Sequence, residues 1–291
     1  MFFKNKINLY FFISILVVYF FTRASDIYAI MQLYSDIAHK INLANLSFDK
    51  LFTGILWLNN NILHVSTMQN LNHNGNLESF LGSISGYGNL LSTTLCLIWV
   101  IYLTIKSEIT IKSTQLLLLG YMTFAFLGDF LCYRVPALVN NVDIYFSSNV
   151  PILAGIFVLA HSCEIIRELT YSSETVTLMK VDVCILLLIS ISMILLSFQF
   201  NMPFAAYSVL LLLHIYSAFT VNKRQIYQAR AVSYIKIAVI FYIFIDMATT
   251  VFYLNHSAMG IKLAAYLVDY TLYPFAHLLF IFSEYAKQET L

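Results

Sequence analysis

The chain has 291 residues, of which 60% are hydrophobic and only 11% are charged, whereas soluble globular domains carry about 25% charged residues. A water-soluble fold cannot hide so much apolar surface, so this composition excludes a soluble globular protein and indicates an integral membrane protein. The formal net charge of +1 excludes a basic binding surface, and we expect no nucleic-acid partner.

Eight apolar stretches approach the ~20 residues that a membrane-spanning helix requires. They cover residues 7–22, 88–105, 114–133, 150–166, 181–199, 203–221, 235–254 and 264–283. Backbone polar groups cannot stay unpaired in lipid, so each stretch is predicted to be helical. The sequence therefore predicts an all-α fold, a polytopic transmembrane helix bundle of about eight spans.

Residues 1–22 are predicted to contain the first transmembrane span. Lys4 and Lys6, followed by an apolar run to Phe21, are also typical of a signal peptide. Arg23 stands where a cleavage site requires a small residue, so we favour a retained span, and a cleaved signal is the alternative.

Residues 23–87 are predicted to form an extracytoplasmic insertion before the second span. Apolar residues recur at helical spacing between Ile27 and Ile41, which predicts an amphipathic helix on the membrane surface or on the bundle. Seven asparagines between residues 59 and 76 then indicate an amide-rich, irregular loop. Residues 88–291 complete the predicted organisation as a seven-span bundle that carries the candidate site.

The distribution of lysine and arginine predicts the orientation of the spans. With the N-terminus in the cytoplasm, eleven basic residues fall on the cytoplasmic side and five on the opposite side. We therefore predict a multi-pass protein of a bacterial inner membrane or a eukaryotic internal membrane, with both termini cytoplasmic.

Carboxylates inside the predicted spans are the most informative residues, because a charge at mid-bilayer costs about 2.5–3.5 kcal/mol on insertion scales. Three of them stand out: Asp129, Asp246 and Asp269. Asp269 lies about one turn from the outer end of the last span, where its side chain can reach the interface. Asp129 and Asp246 lie deeper and have no basic neighbour in sequence, so they are the candidate functional pair.

Three histidines, His161, His214 and His277, share this depth range, and the first two have simpler explanations. His214 is flanked by leucines, which predicts a satisfied core histidine. His161 and Glu164 stand three residues apart, the spacing of two metal ligands on one helix face. Because Glu164 lies beside Arg167 and Glu168, we interpret it as part of a solvated helix terminus. We therefore predict no metal site.

Four short segments surround these candidate residues with aromatic and apolar neighbours. They are Leu127-Gly128-Asp129-Phe130-Leu131, Phe157-Val158-Leu159-Ala160-His161, Phe241-Tyr242-Ile243-Phe244-Ile245-Asp246 and Tyr273-Pro274-Phe275-Ala276-His277. In order and spacing they resemble motifs of the lysoplasmalogenase-like (YhhN-type) integral membrane family, over about residues 110–285. The chain departs from the family pattern at Ile245, where the family usually has serine, and at Glu164, where an aromatic residue is common.

The resemblance implies hydrolysis of the vinyl ether bond of lysoplasmalogens, which gives a fatty aldehyde and a glycerophospho-head group. It implies Asp129 and Asp246 as the catalytic carboxylates, without assigning acid and base between them. It implies His161, Tyr273 and His277 as residues that bind the substrate or orient water. A lysophospholipid substrate and membrane lipid are the implied partners, and no cofactor is implied.

A non-catalytic function remains the alternative. A membrane carrier or sensor for lipid or small solutes can use the same buried acids for proton coupling. Broken helices would favour transport, but Pro274 is the only proline that we predict well inside a span, so this signal is weak.

Overall fold

The computed structural model describes residues 6–41, 76–106, 112–131, 142–170, 177–197, 202–223, 226–253 and 259–288. These described residues form eight α-helices and no β-strand, so the prediction of an all-α fold is confirmed. The helices are α1 (Lys6–Ile41), α2 (Asn76–Lys106), α3 (Ser113–Asp129), α4 (Val142–Leu169), α5 (Lys180–Ser197), α6 (Met202–Thr220), α7 (Ala229–Tyr253) and α8 (Met259–Gln288). A 3-10 turn, Val221–Lys223, follows α6.

Three helices contain a segment that is long and apolar enough to cross a membrane. Within the described part of the chain these segments are Lys6–Ala24 in α1, Gly88–Lys106 in α2 and Ala229–Ala248 in α7. They fit a membrane protein. The larger number of eight spans stays a prediction.

Two helices extend beyond the apolar stretches that predicted them. α1 continues across the predicted boundary at residue 22 and includes the region predicted as a separate amphipathic helix, because this stretch has no glycine or proline to end it. α4 begins at Val142, eight residues before the predicted stretch 150–166, so that Pro151 lies inside it. Most of the asparagine-rich stretch, residues 59–75, lies outside the described residues.

Six helices form a closed circuit of neighbours around the interior. α2 packs on α3, α3 on α4, α4 on α6, α6 on α7, α7 on α8 and α8 back on α2. The interface between α7 and α8 is the most extensive, and α8 also touches α3. α1 lies mainly against α2, and α5 lies against α6. The elements that bear the candidate residues, α3, α4, α7 and α8, all belong to this circuit.

The outward faces of the helices are apolar, whereas polar side chains point inward. On α7, Ile237, Ile240, Phe244 and Met247 are exposed and recur every three or four residues. Asp246, on the other side of the same helix, is buried. This is the arrangement expected of a bundle whose surroundings are lipid, because an exposed carboxylate there has no water to solvate it.

Candidate functional site

Asp129 lies at the C-terminal end of α3 and is 2% exposed. Its Oδ1 accepts a hydrogen bond from the Tyr273 hydroxyl of α8 at 3.0 Å. Its Oδ2 lies 2.5 Å from Oγ1 of Thr93 on α2. Three helices therefore position this carboxyl group: α3 carries it, and α2 and α8 form hydrogen bonds with it. Directly after Asp129, residues 130 and 131 have π-helical geometry.

Gly128 explains how Asp129 comes to lie so deep between the helices. A Cβ atom added at Gly128 would lie 2.6 Å from Cζ of Phe157 on α4, and one added at Gly120 would lie 3.1 Å from Sγ of Cys163. α3 thus approaches α4 closely only because these two positions have no side chain. In the Gly-Asp pair of the sequence, Gly128 is therefore required for helix packing, and Asp129 supplies the buried carboxyl group.

Two tyrosines and a histidine form a hydrogen-bonded group beside Asp129. The hydroxyl of Tyr121 lies 2.8 Å from Nδ1 of His277, and the hydroxyl of Tyr242 lies 3.2 Å from the same nitrogen. The two hydroxyls also bond to each other. The ring of Tyr273 packs edge-on against His277, with centroids 4.4 Å apart. Asp129, Tyr273, His277 and Tyr242 thus form one continuous series of contacts.

Asp246 and His161 lie on a crevice next to this group. The crevice is too narrow to hold a water molecule and is lined by His161, Leu210, Leu211, His214 and Asp246. The His161 ring lies perpendicular to the Tyr242 ring, with centroids 4.9 Å apart. Both Asp129 and Asp246 interact electrostatically with Tyr242. Tyr242 is therefore the side chain that links the two predicted carboxylates.

His214 lies beside a buried carboxylate, but neither of its ring nitrogens forms a hydrogen bond with the described residues, so the prediction of a satisfied core histidine is wrong. Its Nε2 lies 3.3 Å from Oε1 of Glu168, and both side chains are fully buried. The other oxygen of Glu168 accepts a hydrogen bond from the Ser217 hydroxyl. His214 also lines the crevice beside Asp246, so it belongs to the site as well as to the core.

The interpretation of Glu164, Arg167 and Glu168 as a solvated helix terminus is wrong. All three side chains have no exposed surface. Arg167 forms an ion pair with Glu164, contacts Oε2 of Glu284 at 3.1 Å and donates to Ser283 at 2.9 Å. Arg167 is the shared cation of both carboxylates, and each carboxylate is hydrogen-bonded to it, which lowers the cost of burying these charges. We call Glu164, Arg167, Ser283 and Glu284 the Arg167 cluster.

Tyr227, a loop residue before α7, also contacts the Arg167 cluster. The Tyr227 hydroxyl donates to the backbone carbonyl of Arg167 at 2.7 Å. Burial raises the pKa of the Tyr227 phenol well above its ordinary value, because the phenolate charge would lose its hydration. The phenol therefore stays neutral and keeps its proton for this bond.

The two residues with metal-ligand spacing do not converge. Glu164 is held by Arg167, whereas the His161 ring lies against Tyr242 and His214. In the part of the chain that the structure describes, no group of three or more His, Cys, Asp or Glu side chains is arranged to hold a metal ion.

The five predicted site residues thus fall into two adjoining groups. Tyr273 contacts both Asp129 and His277, and His161 and Asp246 line the neighbouring crevice. Three contributors were not predicted from the sequence: Thr93, Tyr121 and Tyr242. No sequence signal distinguishes them, since the chain has 20 tyrosines and a threonine is unremarkable in an apolar helix.

No family model, curated protein or solved structure matches this chain. The resemblance of the four motifs to the lysoplasmalogenase-like family therefore stays a prediction.

Proposed function

We propose that the protein is a multi-pass integral membrane hydrolase, with both termini in the cytoplasm, that cleaves the vinyl ether bond of lysoplasmalogens. One observation carries this proposal. Two buried carboxyl groups, Asp129 and Asp246, both interact electrostatically with Tyr242 in the interior of the bundle. A pair of carboxyl groups with different environments is the arrangement that acid–base hydrolysis of an ether requires.

The reaction balances with one acid, one base and one water molecule. The acid transfers its proton to the alkenyl carbon that is not bonded to oxygen, which leaves an oxocarbenium ion at the carbon bonded to oxygen. The base takes a proton from water while the water oxygen bonds to that cationic carbon. The hemiacetal then collapses to a fatty aldehyde and the free hydroxyl of the glycerophospho-head group. Inverting glycosidases divide the work between two carboxyl groups in the same way.

The surrounding side chains suit a cationic intermediate. The rings of Tyr121, Tyr242 and Tyr273 surround His277 with centroid distances of 5.5, 6.1 and 4.4 Å. Aromatic faces attract a cation, and the attraction is stronger when water is excluded. We assign substrate binding and the orientation of water to His161, Tyr273 and His277, whose polar atoms lie in the same interior.

The experiment is to incubate the purified protein in detergent with a lysoplasmalogen and to measure the fatty aldehyde released. Asp129→Asn and Asp246→Asn keep the side-chain volume and remove the titratable group. Each is expected to lower the rate at least ~10²-fold, the low end of what a positioned acid or base contributes.

Asp182→Asn is the matched control. Asp182 is also buried, but it lies on α5 and accepts a hydrogen bond from Tyr216 at 3.1 Å. This variant is expected to retain the parent rate. If both Asp129→Asn and Asp246→Asn fold and release aldehyde at the parent rate, the hydrolase proposal is wrong.

A specific observation favours the carrier or sensor as the second candidate. Buried titratable groups follow one another from Asp246 through His214 to Glu168, and such a series can pass a proton between helices. Proteoliposomes that hold a pH-sensitive dye test this function. Proton movement on addition of lysophospholipid, without aldehyde release, would replace the hydrolase proposal with proton-coupled transport.

A further inference from the structure

The Thr93 hydroxyl lies between two hydrogen-bond acceptors. Its Oγ1 is 3.0 Å from the backbone carbonyl oxygen of Asn89, one turn earlier in α2, and 2.5 Å from Oδ2 of Asp129. Thr93 is fully buried and Asn89 is nearly so. A hydroxyl has one proton, so it can donate to only one of these two oxygens.

The protonation state of Asp129 decides whether both of these short oxygen–oxygen contacts contain a hydrogen. If the carboxyl group is ionised, Asn89 and Asp129 compete for the single Thr93 proton, and one contact lacks a hydrogen. If it is protonated, the acid O–H donates to Thr93 Oγ1 and the Thr93 hydroxyl donates to the Asn89 carbonyl. The Tyr273 hydroxyl donates to the remaining oxygen, Oδ1. Only the protonated form places a hydrogen in each of the two oxygen–oxygen contacts of Thr93, at 2.5 and 3.0 Å, and this favours the neutral acid.

Among the residues that the structure describes, the groups that face Asp129 provide no positive charge to oppose this arrangement. α2 contributes the Thr93 hydroxyl, α8 contributes the Tyr273 phenol with His277 beyond it, and α7 contributes the Tyr242 phenol. α4 contributes the apolar ring of Phe157 next to Gly128. A buried carboxylate is retained in the ionised form when a cation or several donors face it, and these neighbours supply one uncontested donor.

We propose that Thr93 is a positioning residue that holds Asp129 as a neutral carboxylic acid. Asp129 is then the general acid, and Asp246, on the crevice beside His161 and His214, is the base. The assignment of catalytic roles rests on the proposed hydrolase function. The protonation state does not, because it is a property of the protein without substrate.

Infrared difference spectroscopy of the purified protein without substrate tests the protonation state directly. At neutral pH the parent is expected to show the carbonyl stretch of a protonated carboxyl group, and Asp129→Asn is expected to lose it. Absence of such a band in the parent-minus-variant spectrum would overturn the proposal, whether or not the protein hydrolyses lysoplasmalogens.

Thr93→Val then tests the role of the hydroxyl. The variant removes the acceptor of the acid proton, so the midpoint at which this band titrates is expected to move about one pH unit lower, a tenfold loss of proton affinity. Thr93→Ser keeps the hydroxyl and is expected to keep the parent midpoint. Thr104→Val is the matched control, since Thr104 is a buried threonine of α2 whose hydroxyl donates to the Val100 carbonyl at 2.8 Å.

A shift of the titration midpoint to higher pH in Thr93→Val would contradict the proposal. If Thr93 donates its proton to an ionised Asp129, then Thr93→Val moves the midpoint to higher pH. An unchanged midpoint in a folded Thr93→Val variant would also contradict it. Thr93→Ala serves if Thr93→Val does not fold, and the Asp129→Asn spectrum decides the protonation state in either case. Where hydrolysis is present, the basic limb of the rate profile is expected to move to lower pH in Thr93→Val and to stay in Thr93→Ser.

Discussion

Replacing Arg167 by methionine tests how the two halves of the site are held together. Arg167 is fully buried and binds Glu164 on its own helix and Glu284 and Ser283 on α8. α4 carries His161, and α8 carries Tyr273 and His277. Methionine fills much of the same volume but leaves two buried carboxylates without their positive partner.

The cost follows from this burial. Breaking a buried ion pair by removing one partner costs about 3–5 kcal/mol, because the remaining charge is left uncompensated. For a chain of roughly 150–250 residues each kcal/mol lowers the thermal midpoint by about 2–4 °C. Arg167→Met is therefore expected to lower the midpoint of thermal unfolding in detergent by roughly 6–20 °C.

Two further variants make the measurement decisive. Arg230→Met removes an exposed arginine at the start of α7 and is expected to change stability by less than about 0.5 kcal/mol. The triple variant Arg167→Met, Glu164→Gln, Glu284→Gln removes the unpaired charges and is expected to recover most of the lost stability. If Arg167→Met unfolds at the parent temperature, or if the triple variant unfolds no higher than Arg167→Met, the reasoning about the Arg167 cluster is wrong.

Three other outcomes are expected. Gly128→Ala should lower stability by about 1–3 kcal/mol, the usual cost of overpacking, and Phe157→Leu in the same chain should recover part of it; an unchanged thermal midpoint would contradict the close packing of α3 on α4. Hydrolysis in D₂O should place one deuterium on the carbon next to the aldehyde, as mass spectrometry can show; its absence would exclude carbon protonation. A reporter fused after Leu291 should be active only in the cytoplasm, and activity on the other side would refute the predicted orientation.

Much of the helical architecture could be predicted from the sequence, because lipid leaves the backbone no alternative to internal hydrogen bonding. The described part of each predicted apolar stretch lies within a helix. The starts of the helices were harder to predict, as α4 demonstrates. An apolar stretch indicates which part of a helix contacts lipid. Its composition does not indicate how many polar residues extend the helix beyond that part.

Individual site residues were predictable only where their chemistry is unusual for an apolar helix. Asp129 and Asp246 stand out because a carboxylate in lipid is costly, whereas Thr93 and Tyr242 do not. The error at Glu164 has a related cause. Glu164 and Arg167 are three residues apart in sequence and indicated a solvated end, but Glu284, which shares Arg167 as its cation, is 117 positions from Arg167. Long-range charge pairing cannot be read from one chain without its fold.

The apolar outer faces of the helices have a consequence for how activity should be measured. The crevice is too narrow to hold a water molecule, whereas pockets that enclose a ligand measure ~300–1,000 Å³, so the lysolipid substrate of the proposed hydrolase must part the helices to reach Asp246. A lipid with a long chain partitions into the bilayer or micelle before this happens. The concentration that governs the rate is then the mole fraction of substrate among the surrounding lipid or detergent molecules. Adding detergent at constant total substrate should slow the reaction by dilution in the surface, even though nothing has changed in the protein.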